Sequence, residues 1–381
     1  MLDISIKLDP EIIVGVDTVN RAGTICAEFG GKVLVVTEQV LYENRNIERL
    51  TTILEDAGIE AIVFDEIPAQ ATADVAEAAA VLAQGARCSA IVGFGGLKTQ
   101  AIARITAMIA RNKISIFEFL DEAGNNEDYL PYIAIPTTGR DPFLFSRFFI
   151  AVDPRDRSVK LVKSPRGLCK SALVDGGLSE SLSGKFASTT AFDGFCVAIE
   201  AYCSTRASFL SDALLEQAIV LYSQMIDNYV DNKVFDLIGG ATNAGFLIAL
   251  GCAISSPGIG TALAYALNGR FPVAKSWCST ILLPYILEKL VAARPEKLAK
   301  AAALMGEPVM GAPVSEAAGM AVEAIRRRMG ILEVPARFKD YNLSLDRLVP
   351  VAEAARNLEF VAFSPWTVSA EDAYDLLKQA F

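Results

Sequence analysis

The sequence predicts a two-part protein: an N-terminal α/β domain built on a doubly wound parallel sheet, over residues 1–177, and an all-helical C-terminal domain over residues 178–381. Three observations predict it. Short runs rich in Val and Ile alternate with helical patterns through the first half. A glycine-rich turn in that half joins a strand pattern to a helix pattern. Past residue 178 the strand patterns stop and amphipathic helical stretches follow one another.

The first clear strand is KVLVVTE, residues 32–38, an unbroken apolar run of the kind buried on both faces of a parallel sheet. IEAIVFDE (59–66) is the next strand, and the alanine-rich ADVAEAAAVLAQGA (73–86) is a helix. CSAIVGFG (88–95) is a strand that runs through glycines into a further helix, and YIAIPTT (132–138) is a strand. RFFIAVD and KLVKSP read as a hairpin turning over Pro154, Arg155 and Asp156, and KSALVDGGL (170–178) closes the series. The helices expected in the second half are 183–202, 211–229, 296–306, 314–330, 345–357 and 369–381, the last opening on a Ser369 cap. A cleft between two such domains is the expected ligand site.

Composition excludes several functions. The chain has 381 residues and a formal net charge of −10, which argues against nucleic acid and anionic membrane surfaces as partners. The residues from 237 to 269 carry no charge, but glycines and Pro257 interrupt them, so buried core helices are expected there rather than a membrane span. The start of the chain lacks the basic and apolar regions of a secretory leader, so none is expected. Seven scattered cysteines, with no C-x-x-C pair, fit reduced thiols and a cytoplasmic location. There is no histidine. That removes Ser-His-Asp triads and every histidine-ligated metal site, and leaves acid–base work to Lys, Asp, Glu, Tyr or Cys.

In IVGFGGLKTQAIAR, Gly93, Gly95 and Gly96 permit close backbone approach, and the helix that follows offers unpaired N–H groups to a phosphate. Lys98 stands where the strict G-x-G-x-x-G fingerprint has its last glycine, so a ligand-free strand-to-helix turn is the plain alternative.

Five segments, in order along nearly the whole chain, resemble the iron-containing alcohol dehydrogenase family, which includes glycerol dehydrogenases and is related to dehydroquinate synthase. GGLKTQAIAR (95–104) resembles the family's pyrophosphate loop, with Leu97 for its third glycine, Ala101 for its Asp and Arg104 for its Lys. IPTTGRDPFL (135–144) keeps Ile135 to Thr138 and replaces the tail from Arg140 onward. Residues 193–202 resemble the family's D-A-x-x-H-A-I-E-A-Y, residues 258–284 its second histidine-bearing segment, and residues 364–381 its close.

The resemblance implies a Rossmann-like domain followed by a helical one, the dehydroquinate synthase-like fold, and a homodimer. It also implies an NAD(P)(H)-dependent alcohol dehydrogenase acting on a small carbonyl or alcohol substrate. Of the family's metal ligands, one Asp and three His, only Asp193 is matched. The histidine positions read Val197, Leu263 and Lys275, and a further catalytic histidine position reads Leu267. No metal is therefore expected.

Lys275, carrying a positive charge at a former ligand position, is the candidate to replace the metal at a substrate oxygen, with Asp193 as its partner; a purely structural ion pair is the alternative. Arg140 is expected to clamp an acidic group on the substrate, or else to pair with the adjacent Asp141. Cofactor contacts are expected from Gly95, Gly96, Leu97, Lys98, Thr137 and Thr138, with Phe148, Lys160 and Leu168 lining the same groove. Glu38, after the first strand, is expected to accept hydrogen bonds from the adenosine ribose and so to favour NAD(H) over NADP(H). Two other readings stay open: a catalytically silent nucleotide-binding or regulatory homologue, and lyase chemistry like that of the synthase relatives.

Overall fold

In the computed structural model of the chain, residues 6–112, 114–121, 128–181, 184–230, 240–341 and 343–381 are described. By internal contacts the chain divides into two units: Lys7–Thr138 with Phe143–Ser181, and Gly139–Pro142 with Leu182–Phe381. The expected boundary at 177/178 thus falls four residues before the observed step at Ser181/Leu182, and the strap Gly139–Pro142 belongs to the helical unit.

The first unit runs β1 (Glu11–Gly15), α1 (Ala22–Ala27), β2 (Lys32–Thr37), α2 (Asn46–Asp56), β3 (Glu60–Phe64), α3 (Val75–Gly85), β4 (Ala90–Gly95), α4 (Leu97–Ile109), α5 (Ile116–Leu120), β5 (Tyr132–Pro136), β6 (Phe148–Val152), β7 (Val159–Lys163) and β8 (Cys169–Asp175). Six strands form one parallel sheet in the order β1-β8-β5-β4-β2-β3. The expected hairpin is β6 paired antiparallel with β7. β1 has no counterpart among the strands expected from sequence: it is a five-residue edge strand, too short and too half-buried to stand out.

The sheet alternates strictly between its faces. Val33, Val35, Val92, Phe94, Ile133 and Ile135 form one core with Leu50 and Leu54 of α2 and Ile25 of α1. On the other face α4 packs onto β4 at Gly93, where an added Cβ would lie 2.9 Å from both Ala103 Cβ and the Tyr132 ring. From β2 the chain winds outward to β3, then returns across β2 to β4 and winds the other way through β5. The winding direction therefore reverses between β2 and β4, and in parallel sheets ligands bind beyond the carboxyl ends of the two strands at such a switch point.

The helical unit comprises α6 (Gly184–Cys203), α7 (Phe209–Val230), α8 (Gly240–Ile254), α9 (Ile259–Arg270), α10 (Lys275–Ala293), α11 (Pro295–Leu304), α12 (Val314–Ile331), α13 (Val349–Arg356) and α14 (Ala370–Gln379). Ser369 caps α14 in a capping box with Asp372. The uncharged stretch becomes α8 and α9, bent 111° at the Pro257–Gly258 break, and Leu237 to Gly239 lie outside the described residues. Among the described residues no single helix is long and apolar enough to cross a membrane. α10, absent from the helices expected by periodicity, is apolar nearly all round and carries Pro284 inside it, so neither a stripe nor a clean boundary betrays it.

Candidate functional site

The helical unit centres on Asp193, fully buried on α6. Three side chains converge on its carboxylate. Lys275, the first residue of α10, places Nζ 2.5 Å from Oδ1. Ser279, one turn along the same face of α10, donates its hydroxyl to Oδ1 at 2.6 Å. Arg140, from the strap, places NH1 2.7 Å from Oδ2. The Lys275 side chain is 3% exposed and that of Arg140 10%, so two cations share one buried carboxylate.

Burial alone would raise the Asp193 carboxyl; the charges of Lys275 and Arg140, and the hydrogen bonds from Lys275 and Ser279, outweigh it and hold the group below the usual carboxylate range. Nζ of Lys275 also lies 4.6 Å from the centroid of the Tyr265 ring on α9.

Close backbone contacts fix the strap. The Tyr222 hydroxyl of α7 donates to the Gly139 carbonyl, and the Tyr222 ring lies against Gly194 of α6 so closely that any side chain there would collide with it. A Cβ on Gly139 would run into the Ala241 carbonyl of α8. Two turns beyond Asp193, Glu200 caps α9, accepting from the Gly258, Gly260 and Thr261 N–H groups and from the Thr261 hydroxyl. Burial nonetheless holds its carboxyl above the usual range.

The second constellation lies in the sheet unit at the switch point. Gly96 is the N-cap of α4 and carries no side-chain cap, so the first-turn N–H groups point outward. Glu38, just past β2, turns onto this loop: its Oε1 accepts from the Gly96 N–H at 2.8 Å. Gly95 has φ +156°, and an added Cβ would lie 2.8 Å from Thr99 Oγ1 and 2.9 Å from Glu38 Oε1. The Thr99 hydroxyl is buried without a hydrogen-bond partner among the described residues. A backbone cradle that a Cβ would fill, open helix amides and an orphaned hydroxyl fit the pyrophosphate of a dinucleotide.

The structure places the other expected site residues as follows. Arg140 pairs with Asp193, because the strap carries it to α6. Lys160 is held by Asp153 at 3.0 Å and Asp121 at 3.2 Å, in a cluster shared with Arg155. Leu168 is buried, and its carbonyl accepts from the Tyr132 N–H. Phe148 is half-buried at the start of β6, 5.8 Å from the Lys163 ammonium. Thr137 is buried and donates its N–H to the Gly95 carbonyl; Thr138 and Leu97 are half-buried beside the loop. Lys98 reaches the Ala69 carbonyl.

Arg104 is structural: its guanidinium donates to the carbonyls of Phe143, Leu144 and Phe148. Sequence reasoning did not single out Ser279, Tyr265, Tyr222 or Glu200. The four-residue spacing of Lys275 and Ser279, and the seven of Asp193 and Glu200, were the available signals.

Comparison with known proteins gives the frame. Residues 9–176 match the family profile "Iron-containing alcohol dehydrogenase", and residues 187–381 match "Fe-containing alcohol dehydrogenase family, C-terminal". The chain belongs to the iron-containing alcohol dehydrogenase family. It is 23% identical over 98% of its length to the NAD-dependent methanol dehydrogenase of Bacillus methanolicus, of which it covers 98%. It is 24% identical to the 1,3-propanediol dehydrogenase of Citrobacter freundii, over 96% of each chain. A solved 1,3-propanediol oxidoreductase superposes with a TM-score of 0.90 at 22% identity, over 100% of both chains, which shows the shared fold.

Iron is the metal in the family's name, yet the positions at which the sequence resemblance puts its ligands do not fit one. Val197 and Leu263 are fully buried aliphatics, and the ammonium of Lys275 has no lone pair. Both oxygens of Asp193 are engaged by cations. No group of three or more His, Cys, Asp or Glu side chains placed to hold a metal occurs among the described residues.

Proposed function

We propose that this chain is an NAD(H)-linked oxidoreductase that interconverts an alcohol with an aldehyde or ketone without a metal ion. The observation that carries the reading is the Lys275–Asp193 contact of 2.5 Å at the place where the family's pattern puts the metal. A metal at such a site would polarise the carbonyl and stabilise the alkoxide. A buried ammonium serves the same electrostatic end, because an N–H donor acting away from water is worth far more than in it.

Family membership and relatives such as the NAD-dependent methanol dehydrogenase support the choice of cofactor. The glycine loop with Gly95, Gly96, Leu97 and Lys98 would hold the dinucleotide, and Glu38 beside it disfavours a 2′-phosphate. When bound, the nicotinamide supplies or accepts the hydride.

In the reducing direction, negative charge grows on the substrate oxygen, and Lys275 Nζ donates its proton there. The amine left behind regains a proton from water. Asp193 stays ionised throughout and remains the partner of Lys275 before each turnover. Arg140 holds the second carboxylate oxygen, fixing the direction of Asp193. A substrate that itself bears an acidic group suits a site that presents both Lys275 and Arg140. A homodimer in a reducing, cytoplasmic setting completes the proposal; the seven cysteines are free thiols, which fits it.

One observation favours the second reading, a silent binding homologue: Glu38 already occupies the Gly96 N–H that a pyrophosphate would use. The deciding experiment is titration of chelator-treated protein with NADH, following nicotinamide fluorescence, and then turnover of short aldehydes by wild type and Lys275→Met. Saturable binding, with turnover that survives chelation and is lost in Lys275→Met, is expected. Binding with no turnover of any carbonyl would move the conclusion to the silent homologue. Absence of NADH binding would remove the dehydrogenase reading.

A further inference from the structure

Tyr265 has no role in the reading above, yet its ring is the surface closest in kind to a second partner for Lys275. The ammonium has three N–H groups. Among the described residues its hydrogen-bond acceptor is Asp193 Oδ1, at 2.5 Å, and its remaining close contact is the Tyr265 ring, 4.6 Å from Nζ to centroid. Carboxylate and ring thus engage the charge from two sides and leave one N–H direction for a third acceptor. The four-carbon stem of a lysine is flexible, so an ammonium tethered at a single point would sample several directions.

Lys275 also stands at the first position of α10, where the positive end of the helix dipole repels its charge. Whatever holds Nζ in place must counter that repulsion, and an aromatic face does so without adding a full negative charge that would compete for the proton. Tyr265 sits two residues beyond Leu263 and two before Leu267, the aliphatic replacements on α9, and is itself half-buried.

We propose that Tyr265 is a positioning residue: the face of its ring, not its hydroxyl, orients the Lys275 ammonium so that its free N–H meets the reacting oxygen. This rests on the role given to Lys275 under the proposed function.

The test compares Tyr265→Phe, which keeps the ring, with Tyr265→Leu, which removes it, in the full-length protein. The first readout needs no turnover. Acetylation of Lys275 by an N-hydroxysuccinimide ester is timed by peptide mass spectrometry, with the remaining lysines as internal reference and thermal midpoints recorded for each variant. Tyr265→Leu is expected to speed labelling of Lys275 on the order of ten-fold, while Tyr265→Phe stays within about two-fold of wild type.

The second readout is reduction of propanal by NADH. Tyr265→Leu is expected to lower kcat roughly ten-fold with the KM for NADH unchanged, and Tyr265→Phe to stay within about three-fold of wild type. Unchanged labelling in Tyr265→Leu overturns the proposal. So does a loss in Tyr265→Phe as large as in Tyr265→Leu, since the hydroxyl would then be the acting group. Lys275→Met with full turnover of propanal would remove the role of Lys275 and this inference with it. Lys275→Met inactive beside a fully active Tyr265→Leu would remove this inference alone.

Discussion

Asp193→Asn tests the charge arrangement at the centre of the helical unit. The substitution keeps the shape of the side chain and removes a negative charge that touches both Lys275 and Arg140. Leaving one buried charge uncompensated costs about 3–5 kcal/mol. Lys275 has an escape, since it can shed its proton. At about 1.4 kcal/mol per pH unit, from an ordinary lysine value near 10.4 down to pH 7, that route caps its share of the cost at about 5 kcal/mol. The expected loss is therefore about 3–5 kcal/mol, or a fall in Tm of roughly 6–20 °C for a unit of about 200 residues.

Lys275→Met is the control. It leaves Arg140 and Asp193 as a one-to-one pair, so it is expected to cost less than about 1 kcal/mol. The assay is urea unfolding followed by tryptophan fluorescence. Both tryptophans, Trp277 and Trp366, lie in the helical unit, so the signal reports the unit that holds the site. Stability of Asp193→Asn within about 1 kcal/mol of wild type, or a larger loss in Lys275→Met than in Asp193→Asn, would refute the reasoning.

Three further outcomes are expected. Because the folded protein holds the Asp193 carboxyl below its ordinary value, its contribution to stability is full above the unfolded value near 3.9 and disappears as pH falls through the lower folded one. Acid unfolding of wild type should therefore be steeper below about pH 4 than that of Asp193→Asn. Gly95→Ala, whose Cβ would press on Thr99 Oγ1 and Glu38 Oε1 at 2.8 and 2.9 Å, should weaken NADH binding at least about ten-fold in a fluorescence titration. Glu200→Gln presents N–H groups to the amides that cap α9, so it should lower stability by about 1–3 kcal/mol in the same urea assay; a neutral result would show that the cap contributes nothing net.

The sheet unit was legible because its strands are continuous apolar runs separated by helical spacing, and β2, β4 and β5 fall where those runs fall. The edge strand β1 escaped because its five residues, two of them exposed, hold an apolar run of only three, Ile12 to Val14. At the site, the absence of histidine already marked Lys275 as a substitute, and its meeting with Asp193 could be anticipated from the shared motif positions. The partner of Arg140 could not. Asp193 lies 53 residues on in sequence, and the close packing of Gly139 against α8 belongs to the fold rather than to any local pattern. The Tyr265 contact was equally hidden, since a tyrosine among Ala and Leu on an apolar helix looks like core. The ion pairs of Lys160 were hidden too, since Asp121 and Asp153 converge on it from other parts of the unit.

The strap Gly139–Pro142 has a consequence for how such proteins can be recombined. A chimera made by joining the helical half of one relative to the sheet half of another at residue 181 would inherit Asp193 and Lys275 from one parent and Arg140 from the other. The charges of the triad are thus split across any such junction. A parent with a metal site would bring a strap not matched to a lysine, and this chain would bring an arginine to a carboxylate that serves a metal. Four residues outside the helical half therefore have to travel with it, and the two halves are not interchangeable cassettes even where their folds superpose.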